Sequence, residues 1–133
     1  MDADRLRKIR RIQRVQEDLH RLAEWRLATL AREERVLAER QEALIASLND
    51  EDELHGLFVE AMARRLKALA GEAERVHAAH EVQADRVLDE ARRLKRAERM
   101  GDDAAAAHRR GTEKRDLQTL IETLAVRGDR GRP

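Results

Sequence analysis

The sequence predicts an all-α protein, a long antiparallel two-helix coiled-coil hairpin with an extended C-terminal helical arm. Three observations predict it. Charged residues make up 41% of the 133 residues, against about a quarter in ordinary globular domains. Aromatics are 2%, Trp25 and Phe58 with no tyrosine, so a thick core built on large rings is out of reach. The 41% apolar residues recur at spacings of 3 and 4, the period of one helix face, in a chain with one proline.

The first helix is expected over about 4–48, a stretch without Gly or Pro. Its apolar residues fall at Leu6, Ile9, Ile12, Val15, Leu19 and Leu22. They resume as Ala23, Leu27, Leu30, Leu37, Leu44 and Leu48, with Glu34 and Gln41 between. The two series are offset by one residue near Trp25. Such an offset predicts a phase slip that locally unwinds a coiled coil without ending the helix.

The corner is expected at about 49–51, within NDEDE (Asn49 to Glu53). A calcium loop counted from Asp50 would need an oxygen ligand at position 5, glycine at 6 and glutamate at 12. Those positions hold Leu54, His55 and Ala61, so that reading fails. Asn49 or Asp50 suits a helix N-cap, Asp50 with Glu53 has capping-box spacing, and acids in a first turn complement the helix dipole.

The second helix is expected over about 52–126, with Leu54, Phe58, Met62, Leu66, Leu69, Ala73, Val76, His80, Val87, Ala91 and Leu94 as its stripe. The seam is poorer here, with His80, Gln83 and Glu90 at heptad positions. Gly71 should cost about 1 kcal/mol relative to Ala without ending the helix. The pattern thins over GDDAAAAHRRG, which leaves open a break within 100–111. It recovers at Leu117, Leu120, Ile121 and Leu124; 127–133 (RGDRGRP) is expected to be a disordered tail. A single domain over 1–126 results.

Long amphipathic helices need partners for their stripes, and a short corner supplies one in the same chain. Folding at Asn49 would pair Leu6 with Arg93 or Leu94 and leave Arg99 to Val126 without an internal mate. Leu117, Leu120, Ile121 and Leu124 then suggest a partner-binding surface; a dimer covering the same stripe is the alternative. Leu54, Phe58 and Met62, next to the corner, form a second candidate contact, or else close the hairpin tip.

No enzyme is expected. A narrow rod offers no cleft for a catalytic triad with its oxyanion hole, and the glycines are isolated, with no phosphate loop. No cofactor is expected. Glu17 with His20, and Glu74 with His77, have the Glu-x-x-His spacing of di-iron bundles, where further inward glutamates complete the site. Those are lacking, so the histidines are expected at the seam edge or in solvent, with no metal. There is no cysteine, hence no disulfide or thiolate chemistry. The N-terminus has no signal-peptide h-region and no run reaches a membrane span, so a cytoplasmic protein is expected.

Net charge is only +1, but charge is unevenly placed. Arg5, Arg7, Lys8, Arg10, Arg11 and Arg14 carry six positive charges with no acid between them, and 92–99 adds Arg92, Arg93, Lys95, Arg96 and Arg99 against Glu98. The hairpin would set these stretches side by side as a basic pole. Like charges repel, so an acidic protein partner is expected there. Nucleic acid or an anionic membrane surface is a weaker alternative, since no aromatic is available for stacking or anchoring.

RRLKRAERMGDDAAAAHRRGTEKRDLQTLIE, from Arg92 to Glu122, resembles the C-terminal stretch of the FliJ family of flagellar type III export. Lys95, Glu98 and Arg99 match its lysine- and glutamate-rich turn, and Glu113, Arg115 and Leu117 approximate its E-x-K-x-L-D-E-like run. The terminal acidic pair is replaced by Gln118 and Thr119. The resemblance covers about a quarter of the chain. It implies a cytosolic, non-enzymatic stalk that helps couple the export ATPase ring to the export gate, or escorts substrate chaperones, and is peripheral to the inner membrane through that apparatus. The competing expectation is a generic scaffold dimerising through its C-terminal arm.

Overall fold

The computed structural model describes residues 2–49 and 56–130. The expected cap at Asp50 and Glu53, the rest of the acidic corner and Leu54 lie outside the described residues. Two α-helices, α1 (Asp2–Asn49) and α2 (Gly56–Arg130), pack against each other as a helical hairpin, with no strand among the described residues. The break left open at 100–111 does not occur: α2 runs unbroken through Gly71, Gly101 and Gly111. It also continues past Val126 to Arg130, so 127–130 are helical where a disordered tail was expected.

Packing divides the chain into two compact units, Met1–Asp18 with Arg92–Pro133, and Leu19–Ala91. In the first, α1 and α2 approach closely where α2 is small. A Cβ on Gly101 would stand 2.7 Å from Gln13 Oε1 and 4.0 Å from Ile9 Cγ2. One on Gly111 would stand 3.1 Å from Asp2 Oδ2. Ile9, Ala97 and Ala104 are buried around this contact. Glycine costs a helix about 1 kcal/mol relative to alanine, and at Gly101 it leaves the space that the end of the Gln13 side chain occupies.

In the second unit, Ala23, Leu30 and Leu37 of α1 are buried. The Gln83 side chain reaches across to the Ala23 carbonyl, and His77 reaches Glu34. Within each unit, later residues of α1 meet earlier residues of α2.

The covered faces follow heptads. On α1 the buried and half-buried positions include Leu6, Ile9, Gln13, Gln16, His20, Ala23, Leu27 and Leu30, and continue through Glu34, Leu37, Gln41, Leu44 and Leu48. This spacing of 3 and 4 never slips, which corrects the phase slip expected near Trp25. The helix keeps one face by accepting Gln13, Gln16 and His20 there. Ile12, Val15, Leu19 and Leu22, each one residue earlier and so about 100° around the helix, are exposed. On α2 the row runs from Met62 through Val76, His80, Gln83, Val87, Glu90, Leu94, Ala97, Gly101, Ala104 and His108 to Gly111.

The pairing also differs from that expected. Asp2 lies beside Gly111 and Gln13 beside Gly101, where a corner at Asn49 would have set Leu6 against Arg93 or Leu94. In this unit the register is displaced by roughly four turns toward the C-terminus of α2. The small residues Ala97, Gly101, Ala104 and Gly111 line this contact. The arm without an internal mate therefore begins after Gly111 and not at Arg99.

Candidate partner-binding surface

From Thr112 to Asp129 every residue of α2 is exposed. Leu117, Leu120 and Ile121 are each 56% exposed and Leu124 is 57% exposed, so the four residues expected to meet a partner share one uncovered helical stretch. Their phase matters. Continuing the seam from Gly111 in steps of 4 and 3 reaches Arg115, Gln118, Glu122 and Ala125, three of them polar. Leu117, Ile121 and Leu124 each sit one residue before that line, on a face turned by about 100°. A longer α1 in the same register would miss the stripe. Local order in the arm comes from its own backbone: the hydroxyls of Thr112, Thr119 and Thr123 donate to the carbonyls four residues earlier, at 2.8 to 3.0 Å.

The other expected contact is divided. Phe58 is 63% exposed. Met62 is half-buried and lines a groove with Ala43, Leu44, Ser47, Arg65 and Leu69, so it serves the packing of α2 on α1. Of these two described residues, Phe58 keeps the expected exposure.

The basic residues Arg5, Arg7, Lys8, Arg10, Arg11, Arg14, Arg92, Arg93, Lys95 and Arg96 all lie in the first unit and are all exposed. Their expected juxtaposition is corrected: the start of α1 faces Gly101 to Gly111 and not 92–99. Arg7 pairs with Asp4 on its own helix, and Arg10 and Arg14 line a groove with Gln13, Glu17 and Asp102. The basic start of α1 therefore has the acids Asp4, Glu17 and Asp102 near it. The unit still carries 18 Lys and Arg against 11 Asp and Glu, a net +7, while Leu19–Ala91 carries 10 against 16, a net −6.

Ile12 and Val15, expected in the seam, instead form an exposed apolar strip with Lys8, Arg11 and Gln16 in the first unit. In the second unit Leu19, Leu22 and Trp25 are likewise exposed. The row that packs instead takes Gln13, Gln16 and His20, which complete the heptad that Leu6 and Ile9 begin. His108 was also passed over. Its Nδ1 is buried with no hydrogen-bond partner among the described residues, at a position three and four residues from Gly111 and Ala104.

His20 pairs within its own helix, whereas His77 and His80 share a glutamate of α1. His20 Nε2 lies 3.3 Å from Glu24 Oε1, on its own helix. His77 sets Nδ1 3.3 Å from Glu34 Oε1 and Nε2 3.2 Å from Glu81 Oε1, and His80 Nδ1 lies 3.5 Å from the same Glu34 oxygen. Glu17 and Glu74, the carboxylates of the Glu-x-x-His spacing, are not the partners in these contacts. Among the described residues no group of three or more His, Asp or Glu is placed to hold a metal ion, and no helix is long and apolar enough to cross a membrane.

Comparison with protein-family models, curated proteins and solved structures finds no match to this chain.

Proposed function

We propose that the chain is an antiparallel coiled-coil hairpin that works without catalysis as a coupling or escort component of a flagellar type III export apparatus. It would act on the cytoplasmic side, at the export ATPase and gate. The observation that carries this reading is the uncovered stripe Leu117, Leu120, Ile121 and Leu124, on a helical arm that outruns its internal partner. A free apolar face on an otherwise charged helix suits a helix-in-groove contact with another protein. The 3–4 rows on both helices, and cross-helix contacts that run in opposite order, support the antiparallel coiled coil. The FliJ-like stretch from Arg92 to Glu122 supports the export setting, because it contains both the basic run and Leu117, Leu120 and Ile121.

The test is recovery of the flagellar export ATPase on the full chain as bait, wild type against Leu117→Ala, Leu120→Ala and Leu124→Ala combined. Wild type is expected to retain the ATPase and the triple variant to lose it. Equal recovery by both removes the arm from this role; no recovery by either removes the export setting.

A further inference from the structure

The row that contains the arm's apolar residues continues toward the N-terminus of α2, always one residue before the seam. Behind Leu117, Ile121 and Leu124 it passes Lys114 and Arg110. Further back, beyond Ala107 and Asp103, it reaches Met100 and Arg96, again in steps of 3 and 4. Lys114, Arg110 and Arg96 are exposed, and Met100 is 49% exposed. Asp103 is the one acid of the row. All of it lies within the unit of net charge +7. A single helical face is therefore apolar over its last two turns and carries Lys114, Arg110 and Arg96 along the rest, with Ala107, Asp103 and Met100 between them.

We infer that this face docks a helix of another protein, one that is apolar at one end and carries Asp and Glu at 3–4 spacing along its continuation. The inference rests on the reading above that the arm meets a protein, and it adds the chemistry of that partner. Charge decides between the possible occupants. A second copy meeting the same face would bring two units of +7 together, and like charges facing one another oppose association. An acidic helix gains from the same field, which steers and aligns it. An anionic membrane would need a polar face dominated by cations, whereas Glu113, Asp116 and Glu122 interrupt the polar face of the arm.

The probe is a stapled, fluorescein-labelled helix of about 28 residues, the length from Arg96 to Leu124. It carries Leu at 3–4 spacing over its last two turns and Glu at that spacing before them. A control peptide replaces each Glu by Lys. Fluorescence anisotropy with the full chain is expected to show the acidic helix binding at least about tenfold more tightly than the control, and more weakly as salt is raised. Arg96→Glu, Arg110→Glu and Lys114→Glu together, or Leu117→Ser with Ile121→Ser, are expected to remove that preference while circular dichroism reports unchanged helix. Equal binding of both peptides, or binding of neither, overturns the inference. So does a dimer in sedimentation equilibrium that Leu117→Ser with Ile121→Ser dissolves, or tighter binding of phosphatidylglycerol vesicles or duplex DNA abolished by the same charge reversals. Peptide binding without recovery of the export ATPase would sink the export role and leave this inference standing; recovery without peptide binding would do the reverse.

Discussion

Gln83 Nε2 donates a 3.0 Å hydrogen bond to the carbonyl oxygen of Ala23, 60 residues away in sequence, and Gln83 is the buried polar residue of the seam at 4% exposure. The bond crosses between helices at a position where every neighbouring layer has to be in step for it to form. It therefore discriminates between registers, as a single polar residue in a coiled-coil seam does. Gln83→Ala removes the bond and opens a void, and is expected to lower stability by about 1–2 kcal/mol. Gln83→Leu fills the position and should recover most of that in urea unfolding. With Leu the alignment is less specified, so disulfide trapping between Cys introduced at Glu24 and at neighbouring α2 positions is expected to spread over more than one register. Trapping at a single register in the Leu variant would show that Gln83 does not set the alignment.

His108 presents the opposite case, a buried polar atom with nothing to bond. An unsatisfied buried nitrogen costs about 1–3 kcal/mol, and His108 Nδ1 has no hydrogen-bond partner among the described residues. His108→Leu keeps a side chain of comparable reach on the same face and deletes the polar atoms. It is expected to raise stability by about 1 kcal/mol, read as a higher urea midpoint at unchanged slope. A lower midpoint would mean that the imidazole is satisfied in solution.

Two glycines separate propensity from packing. At Gly71 an added Cβ meets only Arg75 Nη1 at 3.7 Å, an ordinary contact, so Gly71→Ala should stabilise by about 0.5–1 kcal/mol. At Gly101 the added Cβ falls 2.7 Å from Gln13 Oε1; that carboxamide can swing aside for alanine, so Gly101→Ala should be close to neutral. Gly101→Leu has to displace Ile9 as well, and is expected to cost about 1–3 kcal/mol. Thermal unfolding of the three variants checks the order. A stabilising Gly101→Leu would contradict the close approach.

Much of the fold was legible because the heptad is a local signal. Met62, Leu66, Leu69, Ala73, Val76, His80 and Leu94 were placed on the α2 seam by spacing alone, and Gln83 and Glu90 were recognised as its polar members. On α1 spacing misled, since Ile12, Val15, Leu19 and Leu22 make as regular a row as the one that packs. What decides between two rows on one helix is the facing surface, here Ala97, Gly101 and Ala104, which admits Gln13 at close range. That is a property of pairing and not of either helix. The register was missed because counting back from Asn49 assumed a tight corner, whereas α1 ends at Asn49 and α2 begins at Gly56. The exposed stripe at Leu117 to Leu124 was found despite that error, because its residues lie beyond the last pairing in either register.

The arm itself yields the most direct prediction. From Thr112 to Asp129 no residue is even half-buried, and the arm's Thr hydroxyls bond to carbonyls one turn back, a pattern that slightly weakens or bends a helix. A helix of this length with no packed face is marginal in water. Amide hydrogen exchange is therefore expected to be fast over 112–130, with protection low and uniform, while the seam from Leu66 to Gly101 exchanges slowly. A stop codon after Gly111 should remove helical signal in proportion to the residues lost and leave the urea midpoint of the remaining hairpin within about 0.5 kcal/mol of the full chain. The acidic helical peptide should restore protection selectively over Leu117 to Leu124. Slow exchange across 112–130 in the free chain, or a large loss of stability on truncation, would show that the arm is already covered and is not held open for a partner.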